Sequence, residues 1–111
     1  MLLSSTNFVE ARPVATDLAE WRSWLTAIER EYDEAVEEHM AAEALAEKLG
    51  DGEGRRGSPA WEKAAACEGT AREHAIMAYT RYKAALVAYC ARVDYEDRQQ
   101  ARRQEAVALA A

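Results

Sequence analysis

From Leu18 to Leu49 one set of positions recurs at steps alternating three and four: Leu18, Trp21, Leu25, Ile28, Tyr32, Ala35, His39, Ala42, Ala46 and Leu49. All but His39 are apolar or aromatic. Such spacing keeps one stripe along one side of an α-helix, whereas a half-buried strand would alternate in twos. A stripe of this length needs an equally long surface to cover it. Trp24, Val36, Met40 and Leu45 widen it on either side. This feature leaves few folds open to the chain and points to the all-α class.

The flanking signals divide the sequence. Residues 1–15 lack a helical period and contain Pro13, so an extended segment is expected there. Thr16 is the expected N-cap, and Asp17 and Glu20 favour the positive end of a first helical arm over 17–49. Gly50 is a stop signal, and the glycine-rich stretch 50–58 is a connector. It lacks the Gly-Lys-Ser/Thr ending of a phosphate loop, and no strand leads into it. Ser58 is placed to cap a second arm over 59–97, with Pro59 in its first turn. Gly69, followed by Thr70 and Glu73 at capping-box spacing, predicts a kink or short break near residues 67–70. Residues 98–111 read as a polar tail.

The domain 16–111 is therefore expected to be a long antiparallel helical hairpin. Facing positions should sum to about 110, on the expectation of a turn centred near residue 55. Tyr32 then meets Tyr79, Ala35 meets Ala75, Leu25 meets Leu86 and Trp21 meets Tyr89. The second-arm stripe in this reading is Ala75, Tyr79, Tyr82, Leu86, Tyr89 and Val93. Truncating Leu25 or Leu86 to alanine should then cost ~2–4 kcal/mol. Leu3, Phe8, Val9 and Val14 are expected to fold back over Val93 and Tyr95. Because two helices enclose little core, assembly of two hairpins into a four-helix bundle is the natural completion.

Composition narrows the function classes. The net charge of −6 is concentrated on residues 17–49, where ten acids face Arg22, Arg30 and Lys48, a balance of −7. That argues against direct nucleic-acid binding, which needs a basic footprint. No apolar run is long enough to span a membrane, and no signal peptide is expected. Cys67 and Cys90, on one helical arm, are too far apart for a disulfide and fit reduced, partly buried thiols in a cytoplasmic protein.

No catalytic constellation emerges. Neither cysteine has a histidine one helical turn away, and Cys-x-x-Cys is absent. The helical di-metal pattern Glu-x-x-His is absent too, since Val36 precedes His39 and Ala71 precedes His74 by three. In the expected register His39 lies near Arg72 and within a turn of His74. The two histidines with Glu38, Glu43 or Glu73 would hold a metal only if a dimer brought them together. No catalytic residue, metal or cofactor is expected; a small helical enzyme or metal-binding bundle using His39 and His74 is the alternative from another class.

Length and shape are similar to those of small secreted helical hairpins exported by specialised mycobacterial-type systems. Here the inter-helix turn reads Gly57-Ser58-Pro59-Ala60-Trp61 in place of Trp-x-Gly, and Gln99 stands where an acid would follow Tyr95, so no family is assigned.

The expectation is a non-catalytic protein–protein interaction module. Asp33, Glu34, Glu37 and Glu38 form an acidic strip suited to a basic partner, a nucleic-acid-binding protein being one such partner. An acidic inhibitor mimicking nucleic acid is the alternative form. Trp24, Val36 and Met40, with Ile76 and the Lys83 stem, are the expected contacts of a homodimer.

Overall fold

The computed structural model describes residues 13, 17–52 and 55–110. They form a helical hairpin of two α-helices, α1 (Leu18–Gly50) and α2 (Pro59–Ala110), with no strand among the described residues. The fold-back of Leu3, Phe8, Val9 and Val14, like the rest of the expected extended segment apart from Pro13, lies outside the described residues.

Local chemistry fixes the helix ends. Asp17, rather than the expected Thr16, caps α1: its side chain accepts the Ala19 N–H at 2.9 Å, and its carbonyl accepts that of Trp21 at 3.3 Å. Ser58 caps α2 as expected, with Oγ accepting the Trp61 N–H at 3.2 Å and the carbonyl accepting that of Glu62 at 2.9 Å. The turn before it closes when the Ser58 N–H donates to the Arg55 carbonyl at 3.1 Å, with Gly57 at φ 90°, a conformation that glycine adopts without strain. At the end of α1, a Cβ on Gly50 would sit 2.8 Å from Trp61 Nε1, so the absent side chain admits the indole.

The short break expected in α2 is absent. The helix passes through residues 67–70 without a break. An interior glycine costs only about 1 kcal/mol relative to alanine. The 3–4 spacing of Ala64, Glu68, Ala71 and Ala75 carries the packing face through it. Thr70 does not cap a new helix; its hydroxyl donates to the Ala66 carbonyl at 3.2 Å, the ordinary bond of a helix-interior threonine. The residues read as a polar tail from 98 onward continue α2 as far as Ala110. Arg98 pairs with Asp94 one turn back, and the sequence onward is rich in alanine, arginine and glutamine, all good helix formers.

The described chain divides into two compact units, Ala27–Tyr82 and Met1–Thr26 with Lys83–Ala111. In the first, Ala35 (1% exposed), Ala75 and Ala78 form the centre of the core, with Tyr32 packed on it. Tyr32 stands 5.4 Å from the Tyr79 ring and stacks on Tyr82 at 5.8 Å with planes 7° apart, so the expected Tyr32–Tyr79 meeting occurs. In the second unit Ala85 is completely buried and Trp21 nearly so, with Trp24 edge-on to Trp21 at 5.5 Å. There Arg22 donates to the Tyr89 hydroxyl at 3.4 Å.

The face of α1 is the one its spacing predicts, with Trp21, Ile28 and Ala35 buried and Leu25, Tyr32, His39 and Ala42 partly so. The face of α2 is rotated from expectation. Ala78 and Ala85 point inward, while Tyr79 and Leu86 are 44% and 37% exposed. Alanine at the contact lets helix backbones approach closely. Large residues facing Tyr32 and Leu25 at every level would hold the helices apart and open voids beside Ala35 and Ala75.

Candidate functional site

Within Ala27–Tyr82 the flanks of the helical contact differ in chemistry. On α1, Glu31 and Glu38 are seven residues apart and therefore share a flank. With Glu34 from α1 and His74, Met77 and Arg81 from α2, they line an open groove of about 360 Å³ floored by Ala35 and Ala78. His74 Nδ1 lies 3.5 Å from Glu38 Oε2 across it. The groove presents three carboxylates, one fixed cation at Arg81 and a titratable imidazole, which suits basic side chains better than anionic ones.

The opposite flank is apolar. Val36 and Met40 lie on it from α1, and Ile76 and Tyr79 from α2, by the same helical spacing. Met40, Ile76 and Tyr79 are 64%, 59% and 44% exposed. Glu29 and Asp33 stand on this side near Tyr82. Burial first, then the Glu29 carboxylate as charge and hydrogen-bond partner, and Asp33 after it, push the Tyr82 phenol above its usual range.

A third feature joins the helices on the apolar side. His39 Nε2 is 3.4 Å from Glu68 Oε1 on α2 and 3.9 Å from Glu43 Oε2 one turn along α1. Arg72 donates to the other Glu68 oxygen at 2.6 Å. That hydrogen bond is the chief reason the Glu68 carboxyl titrates below its ordinary range, with the His39 contact adding to it and partial burial opposing it.

The residues singled out by sequence are distributed among these features rather than gathered in one. Asp33, Glu34, Glu37 and Glu38 are all exposed, but Glu34 and Glu38 enter the groove while Asp33 acts on Tyr82. The acidic surface thus wraps around α1. Val36 and Met40 share the apolar flank, whereas Trp24 is half-buried against Trp21 in the other unit. His39 and His74 each pair with a carboxylate, Glu68 and Glu38, and not with each other. Lys83, expected in the dimer contact, is exposed in the second unit.

Glu68 is the residue that sequence reasoning missed. Its position in the Ala64, Glu68, Ala71, Ala75 repeat was the available signal, because a carboxylate on a packing face needs a partner across it. Cys67 and Cys90 are free and exposed, not partly buried as expected. No helix among the described residues is long and apolar enough to cross a membrane. In comparisons with known proteins no family model matches the chain, and no curated protein or solved structure matches it.

Proposed function

We propose that the chain is a non-catalytic protein–protein interaction module of the cytoplasm whose first partner is a second copy of itself. One observation carries this reading. The buried apolar residues are Trp21, Ile28 and the alanines Ala35, Ala64, Ala75, Ala78 and Ala85, while the large residues Met40, Ile76, Met77 and Val87 are more than half exposed. Scattered apolar residues need no explanation, but Val36, Met40, Ile76 and Tyr79 share one flank, and another helix packing there would cover them. Sedimentation equilibrium of the full chain at micromolar concentration tests this. A dimer is expected, converting to monomer in Met40→Ser/Ile76→Ser with helical content unchanged. A monomeric wild-type chain ends the self-assembly reading.

A second reading is favoured by the groove. Glu31, Glu34 and Glu38 give it an acidic lining that would accept lysine or arginine side chains of a basic protein, a nucleic-acid-handling protein among them. Binding to DNA or RNA itself is not expected, since a balance of −7 on residues 17–49 repels phosphate. Affinity capture from the native cell with wild type and Glu34→Lys/Glu38→Lys separates the readings. A partner lost only in the charge-reversed form reads the groove, and one retained there but lost in Met40→Ser/Ile76→Ser reads the apolar flank.

A further inference from the structure

We propose that His39, Glu43 and Glu68 form a binding site for one divalent transition-metal ion of the zinc class, clamping α1 to α2. The ligand atoms, His39 Nε2, Glu43 Oε2 and Glu68 Oε1, lie within 4.8 Å of one another. A tetrahedral ion with bonds of ~2.0–2.1 Å holds its ligand atoms ~3.4 Å apart. The separation of His39 Nε2 from Glu68 Oε1 is 3.4 Å, which already equals that edge. Glu43 Oε2, 3.9 Å from His39 Nε2 and within 4.8 Å of the Glu68 carboxylate, must close in by up to about 1.4 Å to complete the tetrahedral face. Its side chain is 57% exposed, so a rotation suffices.

The surroundings suit a cation. Glu43 and Glu68 outweigh Arg72 by one negative charge, and Arg72 engages only Oε2 of Glu68, leaving Oε1 for the ion. Arg72 is then a positioning residue, fixing the carboxylate as outer-shell partners of metal ligands do. Two ligands from one turn of α1 and a third from α2 leave the fourth position open to solvent. The arrangement uses one histidine and one chain, unlike a site that shares His39 and His74 across a dimer.

Calorimetric titration of Zn²⁺ into the full chain tests the proposal, run in parallel on Cys67→Ser/Cys90→Ser because exposed thiols are themselves zinc ligands. One ion per chain is expected in both, with a rise in melting temperature when zinc is present. His39→Gln and Glu68→Gln should each weaken binding by more than the roughly 10–100-fold typical of losing an outer-shell contact. Should either variant lose helical content, Glu43→Gln, at an exposed position, must give the same weakening with the helices intact. No saturable binding overturns the site. So does binding that survives His39→Gln or Glu43→Gln, or that disappears with the cysteines or with His74→Gln.

Discussion

The two units of the chain solve one packing problem differently. In Ala27–Tyr82 the contact is built from alanine at its centre, with stacked tyrosines and a His–Glu–Arg cluster. In Met1–Thr26 with Lys83–Ala111 it rests on Trp21, with Trp24 edge-on and Ala85 fully buried, and then turns polar at Arg92, which pairs with Glu96 and lies 4.8 Å from the Tyr95 ring centre. Alanine contributes little apolar area, so a contact made of it gains from close approach and excludes bulk. A contact made with tryptophan gains from area. The first unit should therefore resist enlargement and the second should resist truncation.

Trp21→Ala is the sharpest test and carries the largest expected effect. Removing a nearly buried indole should cost about 3–5 kcal/mol in a urea melt, enough to unfold much of a marginal chain. A loss below that range would mean that the second unit does not depend on area. Next comes enlargement in the first unit: Ala35→Leu should destabilise by about 1–3 kcal/mol, while Ala41→Leu at an exposed position of the same helix changes little. Equal effects at the two sites would show that Ala35 is not at a close contact.

Leu86→Ala should cost about 1 kcal/mol, less than Trp21→Ala, because the side chain is already 37% exposed in the folded chain. The larger penalty expected when Leu86 was placed on the α2 stripe would, if measured, restore that stripe. The smallest effect depends on pH. The Tyr82 phenol titrates above its usual value of 10.0, so the folded state holds that proton more tightly than the unfolded chain. Its contribution is complete below pH 10.0 and is lost as pH rises from there through the folded value. Tyr82→Phe should thus lower stability slightly near neutral pH, where that contribution is present, and flatten the alkaline decline, as read by circular dichroism from pH 8 to 12 at constant ionic strength. An unaltered decline would place its cause elsewhere.

How legible each part was depends on the diversity of the sequence around each helix. On α1 the acids and bases gather between the stripe residues, at Glu29, Arg30, Glu31, Asp33, Glu34, Glu37 and Glu38 above all, so one face stands out for burial, and that is the face observed. The Ser58 cap, the glycine turn and the Tyr32–Tyr79 meeting were legible for the same reason: each uses a residue type with one strong local preference or one possible partner. The candidate sites were less legible. The acidic residues were evident as charges, but their division between the groove and the Tyr82 side depends on which flank of the contact each one meets.

The sequence by itself determined that there are two helices, where the first begins and ends to within a residue or so, which of its faces packs, and the approximate register of the hairpin. Tertiary structure decided which face of α2 is buried. That helix carries alanine or larger apolar residues on several sides, at Ala75, Ile76, Met77, Ala78 and Tyr79 in succession, so periodicity alone permits more than one stripe. The choice falls to alanine because the opposing helix already supplies Tyr32 and Trp21, and volume at a helical contact has to be filled once, not twice. The same rotation carries Glu68 to His39, a meeting that no spacing within either helix contains.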